Sequence, residues 1–239
     1  GGTVDNRGVI ESAGGMAVVA DALGNSGSLH GGAVAHVRVT QGLVNDGGLV
    51  SAAEGLNVVT GASLSNVSGR ILAGGNLGVQ VAGDLSGLGV IASNGHLQVR
   101  AGGGLELAGG GAARSAALSA EGGALRVGSP FVAGDGLTLM GQTGVTSDVL
   151  SAGGGLDIAA GAGNIVTGSL VALGPVRVAG SGTVTVRGPV VSDGAVTLNA
   201  GAGLGVEGAL ASGGAATLLG EGVRVDGAVV AQGVLIDVH

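Results

Sequence analysis

The chain repeats a short pattern about every 20 residues, and this period constrains its fold more than any other feature. Apolar–x–apolar triplets begin at Leu97, Leu137, Leu156, Val176 and Val196. The last four starts follow one another at nearly equal intervals, and the interval from Leu97 to Leu137 is twice as long. A constant period of this length is typical of repeat proteins, in which similar units stack on their neighbours.

Each repeat contains three short apolar segments. A second segment follows the first after a short corner, as at Leu105 after Leu97, and a third precedes the first across a turn, as at Val190-Val191. In each triplet the middle residue lies on the face opposite its apolar neighbours. The middle residues of the other triplets include Arg38, Asn57, Thr138, Asp157, Arg177, Thr197 and Thr217. Three strands per repeat, without a helical pattern, predict an all-β fold, a parallel β-helix (solenoid) of about 12 coils of roughly 19–20 residues.

The triplet at Leu125 is out of phase with the rest of the chain, because it follows Leu97 by more than one period and less than two. The phase is restored if Ala116-Ala117-Leu118 is taken as the first segment of that repeat. Leu125 then begins the second segment. We therefore expect residues 1–239 to form a single continuous repeat array, with a coil near Ala116 whose inner side chains are mostly small.

Asparagines recur at one corner of the first four repeats: Asn6, Asn25, Asn45 and Asn66. Asparagine tolerates the backbone conformations of sharp turns. Asparagines stacked in register also form hydrogen bonds along the stack. We therefore predict that these four residues are structural turn residues and not ligands of a substrate or metal.

The composition agrees with a narrow, regular core. The chain has 56 glycines, one phenylalanine, no tryptophan or tyrosine and no cysteine, yet 45% of its residues are hydrophobic. Small aliphatic side chains must therefore fill the interior. The absence of cysteine excludes a disulfide scaffold and thiolate chemistry.

Charge and hydrophobicity exclude several classes of partner. The net charge of −7 argues against nucleic acid or an anionic membrane surface as the main partner. No apolar run approaches the length of roughly 18 residues that a membrane-spanning helix needs, so we expect no membrane insertion through a helix.

Three segments resemble a known family: residues 5–15 (DNRGVIESAGG), 151–158 (SAGGGLDI) and 192–198 (SDGAVTL). They are similar to the repeat region of the filamentous haemagglutinins, secreted adhesins of the two-partner secretion family. The resemblance implies a right-handed β-helical shaft that is secreted or held on the bacterial cell surface. It also implies a role in virulence and an outer-membrane transporter as the partner for secretion. Host-cell receptors or glycans would be bound through the parent protein.

Two of the family's motifs are absent. The chain contains no Asn-Pro, which the family's secretion domain carries, and no Arg-Gly-Asp, its integrin-binding triplet. Both ends lack a capping sequence, since residues 234–239 read as a strand. We therefore expect a fragment of a longer rod, in which this segment is a structural shaft.

The sequence offers no convincing catalytic or metal site, so we predict that the chain is not an enzyme and needs no cofactor or metal. Residues one coil apart have mixed charges, as in Asp157 and Arg177, and predict cross-strand ion pairs. The same reasoning groups Arg187, Glu207 and Asp226 in one outward column, and pairs Glu106 with Arg126. The four histidines share no ligand-like spacing.

Two other functions remain open. One is a carbohydrate-binding or carbohydrate-active β-helix that uses a shallow lateral groove. The other is the stem of a contact-dependent toxin or haemolysin.

Overall fold

The structure is a computed structural model that describes residues 2–128 and 130–238. The chain divides into two compact units, residues 1–122 (unit 1) and 123–239 (unit 2). Short strands make up nearly all the regular structure of both units.

The strands of unit 1 are β1 (Thr3–Asn6), β2 (Val9–Ser12), β3 (Met16–Ala20), β4 (Ala22–Asn25), β5 (Ser28–Gly31), β6 (Ala35–Val39), β7 (Leu43–Val44), β8 (Leu49–Ala52), β9 (Leu56–Thr60), β10 (Leu64–Ser65), β11 (Arg70–Ala73), β12 (Leu77–Val81), β13 (Leu85–Ser86), β14 (Val90–Ser93), β15 (His96–Ala101), β16 (Leu105–Leu107), β17 (Gly111–Ala113) and β18 (Ser115–Ala120).

The strands of unit 2 are β19 (Ala124–Val127), β20 (Phe131–Ala133), β21 (Leu137–Gly141), β22 (Gly144–Ser147), β23 (Leu150–Ala152), β24 (Leu156–Ala160), β25 (Asn164–Thr167), β26 (Leu170–Ala172), β27 (Val176–Gly180), β28 (Val184–Val186), β29 (Val190–Ser192), β30 (Val196–Ala200), β31 (Gly203–Val206), β32 (Leu210–Ser212), β33 (Ala215–Gly220), β34 (Gly222–Val225), β35 (Val229–Val230) and β36 (Gly233–Val238).

Every third strand belongs to the same sheet, so each unit has three sheets of six parallel strands. Sheet A of unit 1 begins with β1 and β4, sheet B with β2 and β5, and sheet C with β3 and β6. Unit 2 repeats this order from β19, β20 and β21. Three successive strands make one coil, so each unit has six coils. The prediction of an all-β parallel β-helix of about 12 coils with three strands per coil is confirmed.

Alternation of apolar and polar residues explains why these segments are strands. In β15 the side chains of Leu97, Val99 and Ala101 are buried, whereas His96, Gln98 and Arg100 are exposed. A period of two is the signature of a strand with one face on the core. The sequence thus determines which face of sheet C turns outward.

Columns of aliphatic side chains fill the core. In sheet A of unit 1 the register places Leu23, Leu43, Leu64, Leu85 and Leu105 one above another. Each of these leucines is at most 1% exposed. Burial of a leucine side chain stabilises the fold by roughly 1.5–3 kcal/mol, so a repeated leucine holds each coil to the next.

The irregular stretch of the sequence follows the predicted phase. Ala116 lies opposite Leu97 in the register of β15 and β18, and Ala116, Leu118 and Ala120 are buried. Leu125 lies in β19, a strand of sheet A. Small inner side chains therefore conceal the repeat in the sequence without interrupting the strand order.

The position of one outward residue differs from the prediction. Arg38 is not in the column of Asn57, because it lies opposite Val59, and His36 lies opposite Asn57. The true first residue of the inward pattern in β6 is Ala35, which is fully buried. An alanine gives a weak apolar signal, so the pattern read from the sequence is shifted by two positions at this coil.

The connections between strands are short. Within each unit no connection between the described strands exceeds four residues. Across the described ranges, no helix is long and apolar enough to cross a membrane.

Candidate functional site

The four predicted turn asparagines form a buried ladder in unit 1. Asn6 and Asn25 end β1 and β4, and Asn45 and Asn66 directly follow β7 and β10. The Nδ2 atoms of Asn6, Asn25 and Asn45 each donate to the Oδ1 of the asparagine in the next coil, at 2.8, 2.7 and 2.8 Å, and Asn66 Nδ2 lies 3.5 Å from the carbonyl oxygen of Val90. All four side chains are buried. The structure therefore brings together the residues that the sequence singled out.

The same amides also tie sheet A to sheet B. Asn6 Nδ2 donates to the carbonyl of Ser28 at 3.0 Å, and Asn25 Nδ2 to that of Leu49 at 3.0 Å. Asn45 Nδ2 lies 3.2 Å from the carbonyl oxygen of Gly48. These carbonyls lie at or next to the start of a sheet B strand. Because the amides are engaged within the protein and buried, the ladder is a structural element with no surface to offer a ligand.

An outward face of unit 1 has a different character. We call the outward positions of sheet C in unit 1 the polar face. Its exposed polar side chains are His36, Arg38, Asn57, Gln80, His96, Gln98 and Arg100, and Ser115 and Ser119 are half-buried.

Most of these side chains fall into two parallel columns. The register places His36, Asn57, Gly78 and Gln98 in one column. Arg38, Val59, Gln80 and Arg100 form the second column two positions further along each strand. Successive members of a column are about 4.8 Å apart, the spacing between neighbouring strands.

A glycine opens a notch in the first column. Gly78 lies between Asn57 and Gln98, where a side chain would otherwise stand. The depression has a volume of about 110 Å³, and Gln80 and Arg100 also line it. A larger depression of about 360 Å³ lies beside it and shares Gln80 and Arg100, while Thr60 and Glu121 line its other parts. Together they form a shallow groove on the polar face.

The polar side chains of the groove are available to a ligand. Among the described residues, the side chains of Asn57, Gln80, Gln98 and Arg100 make no hydrogen bond or ion pair with the protein. Other polar side chains nearby are engaged: Asn76 Oδ1 accepts from the backbone N–H of His96 at 2.9 Å, and His96 Nδ1 lies 2.9 Å from Ser115 Oγ. The side chains without a partner in the protein are thus clustered in the groove.

Charge also distinguishes the polar face from the outward face of sheet C in unit 2. The outward strand positions of the polar face carry two arginines and no carboxylate, although the whole chain has a net charge of −7. In unit 2, Arg177 Nη1 lies 3.9 Å from Asp157 Oδ1. This distance confirms the predicted Asp157–Arg177 ion pair. Arg177 is therefore partly neutralised, whereas Arg38 and Arg100 keep their full charge for a partner.

A second predicted charge column is arranged differently. Asp226 pairs with Arg224, whose Nε lies 2.8 Å from Asp226 Oδ1. This hydrogen bond raises the pKa of Arg224 above its ordinary value, and the charge of Glu207 adds to the effect. In the predicted column, Arg187 lies one coil from Glu207, and Glu207 lies one coil from Asp226. Asp226, which directly follows β34, is thus paired with a residue of that strand two positions earlier in the chain.

The outward residues of the polar face offer hydrogen-bonding groups and positive charge. Across the described parts of the chain, no three histidine or acidic side chains cluster so that they could hold a metal ion. The polar face supplies amides that donate and accept hydrogen bonds, and guanidinium groups that donate them.

The groove on this face was not located from the sequence, because amide and arginine side chains are common at exposed strand positions and do not by themselves indicate a site. The sequence does contain a pattern that indicates these columns. Asn57, Gly78 and Gln98 follow one another at intervals of about one coil, as do Gln80 and Arg100. Polar residues at that period stand in one column. A search for outward amides and arginines at this spacing would have found the groove.

Comparisons with known proteins returned no relative. No protein-family model, no curated protein and no solved structure matches the chain.

Proposed function

We propose that this chain is a structural shaft segment of a secreted or surface-exposed filamentous bacterial adhesin that mediates attachment to host cells. The observation that carries the proposal is the uninterrupted repetition of one coil within each unit, with connections of at most four residues. Such repetition produces a stiff spacer, because each coil is bonded to its neighbours by backbone hydrogen bonds. The β-helical fold is compatible with this role, and the resemblance to the filamentous haemagglutinin repeats supplies the adhesin context.

The shaft proposal predicts a rigid, fixed rise per coil. Ala17 and Ala117 lie in one outward column of unit 1, five coils apart, and Asn57 lies between them, two coils from Ala17. The chain has no cysteine, so the pairs Ala17→Cys/Ala117→Cys and Ala17→Cys/Asn57→Cys carry spin labels only at these sites. Pulsed electron paramagnetic resonance should give narrow distance distributions whose centres differ by about 14 Å, the rise of three coils. Broad distributions would contradict a stiff shaft.

Exposure on the cell is tested separately. Antibodies raised against the chain should label intact cells of the bacterium that carries its gene, or a protein in the culture medium. Labelling only after cell lysis would overturn the adhesin part of the proposal and leave the stiffness unaffected.

The groove on the polar face favours carbohydrate binding as a second candidate function. Sugars present many hydroxyl groups, which match the free amide side chains of Asn57, Gln80 and Gln98. This candidate does not compete with the first, since a shaft can also carry a binding surface.

A further inference from the structure

We propose that the groove on the polar face of unit 1 binds a linear oligosaccharide that bears carboxylates, such as a chain of uronic acid residues. This inference rests on the second candidate function, carbohydrate binding, and names its ligand class and residues. The notch at Gly78 would receive part of one sugar ring, and Arg100 would hold a carboxylate next to it.

Two kinds of side-chain group in the groove fit this ligand: carboxamides and a guanidinium. The carboxamides of Asn57 and Gln98, on either side of the notch, both donate and accept hydrogen bonds, as sugar hydroxyls do. Arg100 lines both depressions, and its planar guanidinium matches the two oxygens of a carboxylate. A neutral sugar would leave that guanidinium without a counter-charge.

The periodicity of the face fits an extended polymer. Arg38 and Arg100 stand three coils apart in one column, a separation of about 14 Å. Extended polysaccharides advance by about one coil spacing per sugar ring, so a short chain with one carboxylate per ring reaches both arginines. Gln80, between them, faces the middle of such a chain.

The chemistry of the face also limits the mode of binding. Phe131, the sole phenylalanine of a sequence without tyrosine or tryptophan, is fully buried, so no phenyl, phenol or indole ring is available to stack on a sugar. Binding must therefore depend on hydrogen bonds and charge, and weaken as salt screens the charges. Glu121 lines the larger depression, and its carboxylate repels the carboxylates of the ligand. The ligand's carboxylates should therefore lie near the notch at Gly78, away from Glu121.

Two variants remove the two features of the groove. Arg100→Gln removes the charge of an exposed side chain. Gly78→Gln fills the notch, and an added Cβ at Gly78 meets only Asn57 Oδ1, at 3.3 Å, so the exposed side chain of Asn57 must shift slightly while the backbone of the strand stays in place. Arg177→Gln is the matched control, because it removes an arginine from the outward face of sheet C in unit 2 that is already paired with Asp157.

The test is calorimetric titration of the full chain with an oligogalacturonate hexamer, and with a neutral cello-oligosaccharide of the same length. We expect the acidic hexamer to bind, the neutral one to bind at least about tenfold more weakly, and roughly 1 M salt to abolish binding. Arg100→Gln and Gly78→Gln should each weaken binding about tenfold or more, with an unchanged circular dichroism spectrum, and Arg177→Gln should not.

Each contrary outcome has a defined meaning. Equal affinity for the two hexamers overturns the carboxylate specificity but leaves carbohydrate binding in place. No binding of either hexamer overturns both the inference and the second candidate function. Equal loss in Arg177→Gln and Arg100→Gln shows that binding is diffuse and not located at the groove.

Discussion

At the scale of single residues, the polar interior of this protein contains two contrasting arrangements. The asparagines of unit 1 satisfy one another through the Nδ2–Oδ1 ladder. In unit 2, the hydroxyls of Ser147 and Thr167 lie one above the other in sheet A and are buried without a hydrogen-bond partner. A buried polar group stabilises a fold only when it is bonded, so the two arrangements respond to mutation in opposite directions.

Asn45→Ala should destabilise unit 1 by about 2–3 kcal/mol, because it leaves Asn25 Nδ2 and Asn66 Oδ1 without their ladder partner. The measurement is the midpoint of urea unfolding, together with hydrogen exchange of the backbone amides near the ladder. Asn57→Ala is the control, since Asn57 is exposed and should change stability by less than about 0.5 kcal/mol. Equal effects of the two substitutions would show that the ladder adds no stability.

Thr167→Val should stabilise the protein by about 1 kcal/mol. The change keeps the shape of the side chain and removes a buried hydroxyl that has no partner. Valine already occupies the neighbouring position in the next coil, Val186. The thermal unfolding midpoint should therefore rise, while Thr185→Val, at an outward position of the next strand, should leave it nearly unchanged. A lower midpoint for Thr167→Val would indicate that the hydroxyl is bonded in solution.

At the scale of strands and corners, the sequence predicts the elements well and their exact register less well. The apolar–x–apolar triplets locate most strands of sheet C from Leu97 onwards, because leucine and valine mark the inward face clearly, whereas β18 begins its inward pattern with Ala116. The phase of β6 is harder to predict, because its first inward residue is Ala35. The asparagine corner was predictable from its spacing alone. A shallow lateral groove was left open as an alternative, but its position was not predicted, since it depends on which outward residues lack partners, and that requires coordinates.

Corner glycines are required where coils stack most closely. A Cβ on Gly69 would collide with the carbonyl oxygen of Asn45 and with Oδ1 of Asn66. Gly69→Ala should therefore destabilise unit 1 by about 1–3 kcal/mol or more, since backbone atoms of a neighbouring corner would have to move.

Gly205→Ala provides the matched control, because nothing lies within 4 Å of a Cβ at that position. Urea unfolding midpoints of the two variants give the comparison. A Gly69→Ala protein as stable as Gly205→Ala would show that the corners have more freedom than the structure indicates.

At the scale of the whole molecule, one coil is the unit in which the fold is built, and the register should therefore tolerate the loss of a complete coil. Leu156 and Val176 occupy equivalent positions of β24 and β27. Deleting residues 157–176 joins Leu156 to Arg177, so that the strand keeps its alternation and every remaining segment keeps its sheet.

The deletion protein should fold, with an unchanged circular dichroism signal per residue and a thermal midpoint within a few degrees of the parent. Deleting only residues 157–166 removes half a coil and brings segments of different sheets into register, so this protein should fail to fold. Similar behaviour of the two deletions would contradict a coil-by-coil construction.

The brevity of the connections has a consequence for the susceptibility of the chain to proteases. A protease must draw several residues of extended chain into its active site, and it cleaves most readily at exposed loop tips. Here each corner between the described strands of a unit is at most four residues long, and its ends are fixed in neighbouring strands. The folded chain thus offers few segments that a protease could bind and cleave. Resistance to proteolysis would then come from the spacing of the corners, without the disulfide bonds that this sequence lacks.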